Sequence, residues 1–264
     1  MKVAVLITGQ LRDYKINCLN QIKQIIEPNN ADVFVYACTK NTIHSCGKSL
    51  EQKYYFTGEF KKEDIVADVQ KIYGRFLKKV VVNENEKLPE DNFGTLGYFR
   101  TRMQNQINNI GHGFRMAIEY SKKNNFEYDV IVRCRPDNAM FRQPVHLNRL
   151  EYKEGIIYST IFGSTHGHRD LCFFAISDPK TFAKYCSYEY LKGEDPLRAD
   201  SSFKCTEHSW EDYLCSIGVG VRYIVDICLP FTGFDKSQAI TDFPYRNVSE
   251  KLIDASGNFV EQVL

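Results

Sequence analysis

The chain has 264 residues, of which 43% are hydrophobic and 25% are charged, and its formal net charge is +1. This is the composition of a globular protein with a substantial core, and it argues against disorder. The small net charge gives no general attraction to nucleic acid or a membrane surface, and no apolar run approaches the roughly 20 residues that cross a bilayer. We therefore expect no nucleic-acid partner and no transmembrane segment.

The nine cysteines are scattered, and no two of them form a C-x-x-C pair. This spacing argues against a zinc ribbon or a thioredoxin-like site, and it favours reduced thiols in a cytoplasmic protein. The first residues are a short apolar run followed by a glycine, which indicates a β-strand rather than a signal peptide.

The first 38 residues have the pattern of a strand, a helix and a second strand. Residues 2–8 predict the first strand, and a polar turn follows over 9–13. A helix from about Lys15 to Ile26 is predicted by apolar side chains at helical spacing on one face, which are Ile16, Leu19, Ile22 and Ile26. Residues 32–38 predict the second strand. A unit of this kind favours a parallel sheet.

The middle of the chain continues the alternation of helices and strands. Residues 39–60 lack clear periodicity and predict a mobile loop. After it we expect a helix, a strand and a long helix, over Lys62–Phe76, Lys78–Asn83 and Gly97–Lys123. We expect an interruption of the long helix at Gly111 and Gly113.

Residues 128–138 predict a buried strand that ends abruptly in a corner. Pro136 cannot donate to a sheet ladder, and it holds the preceding residue in an extended conformation. The corner therefore presents Arg135, Asp137 and Asn138 at the strand end, where ligands bind in open α/β sheets. The alternative is a simple turn in which Asp137 caps the backbone.

The rest of the chain predicts three strands, over 155–160, 171–176 and 219–228, and two helices, over 179–186 and 207–217. Asp178 and Pro179 suit the N-cap and the first position of the first of these helices. No repeat, low-complexity tract or linker divides the chain. We therefore expect one α/β domain over residues 1–264.

Three places carry residues suited to chemistry. The first is the loop Thr8-Gly9-Gln10-Leu11-Arg12, where a glycine permits close approach of a ligand and an arginine can bind phosphate, although no P-loop or GxGxxG motif is present. An ordinary surface turn is the alternative. The second is Asp137, since a carboxylate at a strand end suits Mg²⁺ or Mn²⁺.

The third place is the loop that ends at Asp170, which contains His166 and His168. Zinc ligation by these histidines lacks the usual three or four ligands, so we expect Asp170 to serve as a general base or acceptor-binding group. Glu207, at the start of a predicted helix, is a second catalytic candidate. Its alternative role is to complement the helix dipole.

These motifs resemble those of the small GT-A-type nucleotide-diphospho-sugar glycosyltransferases of bacterial polysaccharide loci and large DNA viruses. The resemblance spans roughly residues 2–225 and rests on Gly-Gln-Leu-Arg at 9–12, Tyr-Asp-Val-Ile-Val-Arg-Cys-Arg-Pro-Asp at 128–137, and Asp before an apolar strand at 170–176. It implies a single GT-A-like (Rossmann-like) domain with a mixed, mainly parallel sheet flanked by helices. Residues 1–138 would form the nucleotide-sugar-binding half and residues 139–264 the acceptor-side half.

The resemblance also implies roles for individual residues. The donor-binding positions would be Thr8, Gly9, Gln10, Arg12, Cys38, Thr39, Arg135 and Asn138. Asp137 would hold Mn²⁺ or Mg²⁺, or the donor ribose and diphosphate. The family's Asp-x-Asp motif is Arg135-Pro136-Asp137 here, so an arginine replaces the first carboxylate and the need for a metal is open.

The function implied is glycosyl transfer from a nucleotide-diphospho-sugar to a glycan or other hydroxyl acceptor. Asp170, or else Glu207, would deprotonate the acceptor. One alternative is a non-catalytic nucleotide- or glycan-binding protein of the same fold, which the arginine in the metal motif favours. Another is a zinc hydrolase built on His166, His168 and Asp170.

Overall fold

The computed structural model describes residues 1–11, 14–44, 54–86, 96–136, 144–160, 174–187, 210, 213–224 and 252–253. The strands in these residues are β1 (Val3–Gln10), β2 (Asp32–Cys38), β3 (Lys40–His44), β4 (Tyr54–Glu59), β5 (Leu77–Asn83), β6 (Val130–Cys134), β7 (Ile156–Thr160), β8 (Phe174–Ser177), β9 (Gly220–Ile224) and β10 (Leu252–Ile253). The α-helices are α1 (Tyr14–Gln21), α2 (Lys62–Tyr73), α3 (Leu96–Lys123) and α4 (Pro179–Cys186). A π-helical turn (Ile22–Ile26) continues α1, and short 3₁₀ turns span Gly74–Phe76 and Leu147–Arg149.

Eight of the described strands form one sheet, in the order β10-β9-β7-β8-β6-β1-β2-β5. The described pairs are parallel except those of β8, which is antiparallel to β6 and β7. β3 and β4 form a separate antiparallel hairpin. The prediction of an α/β fold with a mixed, mainly parallel sheet flanked by helices is confirmed.

The central strand β1 is buried on both faces, which explains its continuous apolar sequence. Val3, Val5 and Ile7 join a core with side chains of α1 and α2. Ala4 and Leu6 join a second core, with side chains of α3, α4 and the helical residues around Trp210. Helices therefore cover both faces of the sheet, α1 and α2 on one and α3 and α4 on the other.

The direction in which the chain adds strands reverses at β1. From β1 the chain proceeds to β2 and β5 on one side, and α3 then returns it to β6 on the other side. The order of strands thus changes direction between β1 and β6.

The interruption of the long helix expected at Gly111 and Gly113 is wrong, because α3 is continuous through both. Gly113 lies where α3 crosses β1, and a Cβ added there would be 2.7 Å from the Cγ2 of Thr8. The glycine therefore permits close helix–strand contact instead of breaking the helix.

Two other expectations for local structure are corrected. β1 continues through Gln10, where a turn was expected from Gly9, because both residues still pair with β2. The predicted loop over 39–60 contains the β3–β4 hairpin among its described residues. In short strands at a sheet's periphery the pairing itself, more than sequence periodicity, determines the structure.

The predicted buried face of the first helix is confirmed only in part. Ile22 and Ile26 pack in the core. However, Leu19, also expected inward, is 60% exposed, whereas Asn17 and Gln21 are buried. The helix is therefore oriented by polar contacts as well as by apolar burial.

The expected cap of α4 is confirmed: the Asp178 side chain accepts hydrogen bonds from the backbone nitrogens of Lys180 and Thr181, and Pro179 occupies the first turn.

Among the described helices, none is long and apolar enough to cross a membrane.

Replacing Gly113 or Gly111 of α3 by alanine should change stability in opposite directions. Gly113→Ala forces a methyl group against the β-branched Thr8, and overpacking of this kind costs about 1–3 kcal/mol, more than the gain in helix propensity. Gly111→Ala is the matched control, since the nearest atom to its Cβ is 3.6 Å away on the flexible Arg115 side chain. We expect it to raise the free energy of unfolding by about 0.5–1 kcal/mol. Urea denaturation measures both, and equal stability of the two variants would contradict the close contact.

Candidate functional site

The carboxyl ends of β2, β1 and β6 lie side by side at one edge of the sheet. Gln10 pairs with Cys38 of β2, and Ile7 pairs with Cys134 of β6. The strand order reverses between β1 and β6, and the helices next to them cover opposite faces. In open α/β sheets a crevice forms at this reversal, outside the carboxyl ends of the strands, and ligands bind there.

Gly9 gives the end of β1 an unusual backbone conformation. Its φ is +121°, a value that L side chains rarely adopt, and a Cβ at this position would lie 3.9 Å from the Pro136 ring. The strain in any substitution would come from the backbone angle, since that distance is an ordinary contact. The glycine and the proline corner therefore face each other across the reversal.

Side chains of α1 and α2 fix the position of the backbone in the corner that follows β6. Gln21 is fully buried, and its Nε2 donates to the backbone oxygen of Arg135 at 2.7 Å. The Tyr73 hydroxyl donates to the Gln21 Oε1 at 3.1 Å, which fixes the orientation of the amide. Burial raises the pKa of the Tyr73 hydroxyl well above its ordinary value, so it remains a donor. The backbone of the corner is thus positioned by buried hydrogen bonds.

On the other face, a buried carboxylate lies between the carboxyl ends of β1 and β2 and the middle of α3. Glu86, three residues beyond β5, is 5% exposed. It accepts hydrogen bonds from Gln10 Nε2 at 3.3 Å and from Asn109 Nδ2 at 3.2 Å. Asn109 also contacts the Cys38 sulfur at 3.5 Å. Burial, followed by the charge of Glu86, raises the pKa of the Cys38 thiol far above its ordinary value. Cys38 is therefore a neutral thiol, which excludes it as a thiolate nucleophile.

Beside this network, the rings of Tyr36 and His112 stack with centroids 4.7 Å apart and planes 3° from parallel. Burial and the charge of Arg115 lower the pKa of His112, so the ring favours its neutral form. The stack joins β2 and α3 near the carboxyl edge of the sheet.

A fully buried arginine lies in β6. Arg133 is 1% exposed and pairs with Leu6 of β1. Its charge acts on the buried thiols of Cys134 and Cys186. Burial is the dominant cause for Cys134 and raises its pKa to about 12. Cys134 is therefore a small buried side chain of the core.

Five of the predicted site residues come together at this edge. Gly9, Gln10 and Arg135 are partly exposed, whereas Cys38 and Thr39 are buried in the floor of the edge. The Thr39 backbone links the edge to its neighbours, since its nitrogen donates to Asn83 and its oxygen accepts from Phe60. Thr8 lies apart from them, fully buried under α3, and its Oγ1 has no hydrogen-bond partner among the described residues.

The other predicted residues lie outside the described part of the chain: Arg12, Asp137, Asn138, Asp170 and Glu207, together with His166 and His168 of the zinc alternative. Their roles stay predictions.

The described residues of the edge do not by themselves form a divalent-metal site. No three His, Cys, Asp or Glu side chains gather within the ranges that the structure describes. At the corner the described residues contribute the Arg135 guanidinium, a cation that cannot ligate Mn²⁺ or Mg²⁺, and backbone oxygens. A metal at this corner would depend on Asp137.

Sequence reasoning missed Glu86, Asn109 and Gln21. A signal existed for Asn109, because it is a polar residue on the buried face of an amphipathic helix, and buried amides need partners. For Gln21 there was none, because hydrophobic spacing predicted that the opposite side of the helix faces inward. For Glu86 there was none, since it lies in a polar segment with no periodicity.

No known protein family matches the chain, and no curated protein matches it by sequence. Similar solved structures include the galactosyltransferase LgtC in complex with donor and acceptor sugar analogs, with a TM-score of 0.39, 8% identity and coverage of 84% of this chain and 73% of that chain. Another is the apo-form glycosyltransferase GlyE of Streptococcus pneumoniae TIGR4, with a TM-score of 0.36, 9% identity and coverage of 84% and 45%. Likeness at this level assigns no activity to the chain.

Removing the amide under the corner should destabilise the fold. Gln21→Met keeps the side-chain length but leaves the Arg135 carbonyl and the buried Tyr73 hydroxyl without these bonds. Each such group that loses its partner costs about 1–3 kcal/mol, so we expect a loss of about 2–6 kcal/mol in urea denaturation. Tyr73→Phe, which removes only the second bond, should cost about 1 kcal/mol. An equal loss in the two variants would show that the bond to Arg135 contributes nothing.

Proposed function

We propose that the protein is a glycosyltransferase that moves a sugar from a nucleotide-diphospho-sugar to a glycan or another hydroxyl acceptor. One observation carries the proposal. Residues far apart in the sequence that were expected to bind the donor, Gly9, Gln10 and Arg135, lie on adjacent strand ends beside the strand-order reversal. This is the position where α/β sheets bind nucleotides. The step from nucleotide binding to glycosyl transfer rests on the motif resemblance.

The charges at this edge suit a diphosphate leaving group. Breaking the bond between sugar and diphosphate leaves negative charge that the protein must neutralise, by a metal or by cationic side chains. Arg135 is partly exposed at the corner and supplies one cation. Asp137, two residues further on, is our candidate for holding a divalent metal or the diphosphate.

The antiparallel direction of β8 supports a role for Asp170 near the same edge. Phe174, the first residue of β8, pairs with Cys134, the last residue of β6. Asp170 precedes Phe174 by four residues and Asp137 follows Cys134 by three, so chain length limits the Cα atoms of Asp170 and Asp137 to within about 14 Å and 11 Å, respectively, of that pair. Two carboxylates within such reach suit an anchor for the donor and a base for the acceptor.

The rival function is non-catalytic binding of a nucleotide or glycan, which Arg135 in place of a carboxylate favours. A thermal-shift screen of UDP-, GDP-, CMP- and dTDP-sugars with and without Mn²⁺ tests binding, because a ligand of the native state raises the melting temperature. Donor hydrolysis or transfer, assayed with the sugars that bind, separates the two functions. Turnover supports the transferase, whereas binding without turnover supports the rival.

Asp137→Ala should abolish binding of the nucleotide-sugar, measured by calorimetry. The carboxylate would no longer hold the metal or order the diphosphate site. Asp129→Ala is the matched control, because Asp129 is exposed at the opposite end of β6 and bonds only the amino-terminal backbone among its described contacts. Unchanged donor affinity in Asp137→Ala would remove Asp137 from the site.

Asp170→Asn should lower kcat by about 100-fold or more while donor affinity is retained, since a positioned general base typically contributes 10²–10⁴-fold. Asp178→Asn, at the other end of β8, is the control, because asparagine also caps a helix well. Full turnover in Asp170→Asn would transfer the role of base to Glu207.

A further inference from the structure

Glu86 is a buried carboxylate at the candidate site to which no role has been assigned. It joins several elements at the carboxyl edge: Gln10 at the end of β1, Asn109 of α3 and, through its own backbone oxygen, Lys40 of β3, whose Nζ donates at 3.3 Å. A buried carboxylate is costly unless it is hydrogen-bonded, and these contacts offset part of that cost. An apolar side chain would fill the same space without this cost of burying a charge.

The charge of Glu86 determines which way the amide of Gln10 faces. An ionised carboxylate only accepts hydrogen bonds, so the amide group turned toward it must be the Nε2 donor. This nitrogen lies 3.3 Å from the Glu86 carboxylate. The Oε1 of Gln10 is therefore directed away from Glu86. An amide oxygen has two lone pairs, so it can accept from a ligand in addition to any protein donor.

The distribution of charge indicates which part of a nucleotide meets Gln10. On the Gln10 side the Glu86 carboxylate and the Lys40 ammonium, whose Nζ donates to the Glu86 backbone oxygen, offset each other's charge. Arg135, on the β6 side of β1, adds a cation that favours a diphosphate. The uncharged nucleoside is thus the part that suits the Gln10 side of the edge. Its groups that can donate to an oxygen are a base N–H and the ribose hydroxyls.

We propose that Glu86 is a positioning residue that presents Gln10 as a hydrogen-bond acceptor to the nucleoside of the donor. The inference rests on the proposed function. Gln10 then selects ligands that offer an N–H or O–H donor at that place. With a neutral amide at position 86, either face of the Gln10 amide can turn to the ligand, and the selection is lost.

Calorimetric titration of UDP, CDP and dTDP tests the inference and distinguishes the two sources of the donor group. UDP and CDP differ at the edge of the base, where uracil has an N3–H and a 4-oxo group, whereas cytosine has a bare N3 and a 4-amino group that also donates. dTDP has the same base edge as UDP but lacks the ribose 2′-hydroxyl. One hydrogen bond changes affinity by about 3- to 10-fold. A contact to the base N3–H predicts that UDP and dTDP bind more tightly than CDP by this factor, and a contact to the 4-amino group predicts the reverse order. A contact to the ribose 2′-hydroxyl predicts that UDP and CDP bind equally and more tightly than dTDP.

In Glu86→Gln the observed preference should fall to less than about 2-fold, because the introduced amide can donate to Gln10 and allow it to turn. Glu84→Gln is the matched control: it is the same change two residues earlier, at an exposed side chain that pairs with Lys62. It should keep the preference of the wild type. Gln10→Met, which removes the acceptor but leaves Glu86 in place, should lose the preference as well. This second variant tests the inference if Glu86→Gln does not fold.

Two results would overturn the inference alone: nucleotide affinities that are unchanged in Gln10→Met, or a preference among the three nucleotides that persists unchanged in a folded Glu86→Gln. Failure of the wild type to bind any of them, or any nucleotide-sugar in the thermal-shift screen, would overturn the proposed function and this inference together.

Discussion

The contact between α3 and β1 at Gly113 is the constraint on which the arrangement depends. A chain that has added β2 and β5 on one side of β1 must return across the sheet to reach the other side. The return helix packs so closely on β1 that a side chain at Gly113 would strike Thr8. The same return reverses the strand order and places the helices next to β1 and β6 on opposite faces. Extension of the sheet on both sides of β1 and formation of the candidate ligand-binding edge therefore have a common origin.

Polar side chains inside the two cores determine the shape of that edge. On one face, Gln21 holds the carbonyl of Arg135, and on the other, Glu86 gathers Gln10 and Asn109. Buried polar groups are costly without partners, so each network favours one arrangement of the strand ends over alternative arrangements that would leave these groups unpaired. The apolar cores hold the strands together, while these few hydrogen bonds define where the strands end and which groups they present.

The sequence predicted the elements well where a local signal decides them. The apolar run of β1, the spacing along α3 and the cap at Asp178 are signals of this kind. It failed where the deciding partner is distant. Hydrophobic spacing put Leu19 inward, but α1 turns Gln21 inward to reach the carbonyl of Arg135, 114 residues away in the sequence. The direction of β8 was equally hidden, because a short apolar run has no directional signal.

For the candidate site, the edge that gathers Gly9, Gln10 and Arg135 was predictable from the rule that ligands lie beyond carboxyl ends of strands. The residues Gln21 and Glu86, which orient this edge, were not predictable from a local signal.

The central place of β1 has a consequence for how the protein is made. One edge of β1 pairs with β2, which is synthesised soon after it. The other edge stays unpaired until β6, which begins at Val130, is synthesised. At ribosomal rates of about 5–20 residues per second, roughly 6–24 seconds pass between synthesis of the end of β1 and the start of β6. During that interval the most apolar strand of the protein has an open edge, which is a template for wrong pairing. The nascent chain is therefore most exposed to aggregation, and most dependent on chaperones, before α3 and β6 emerge.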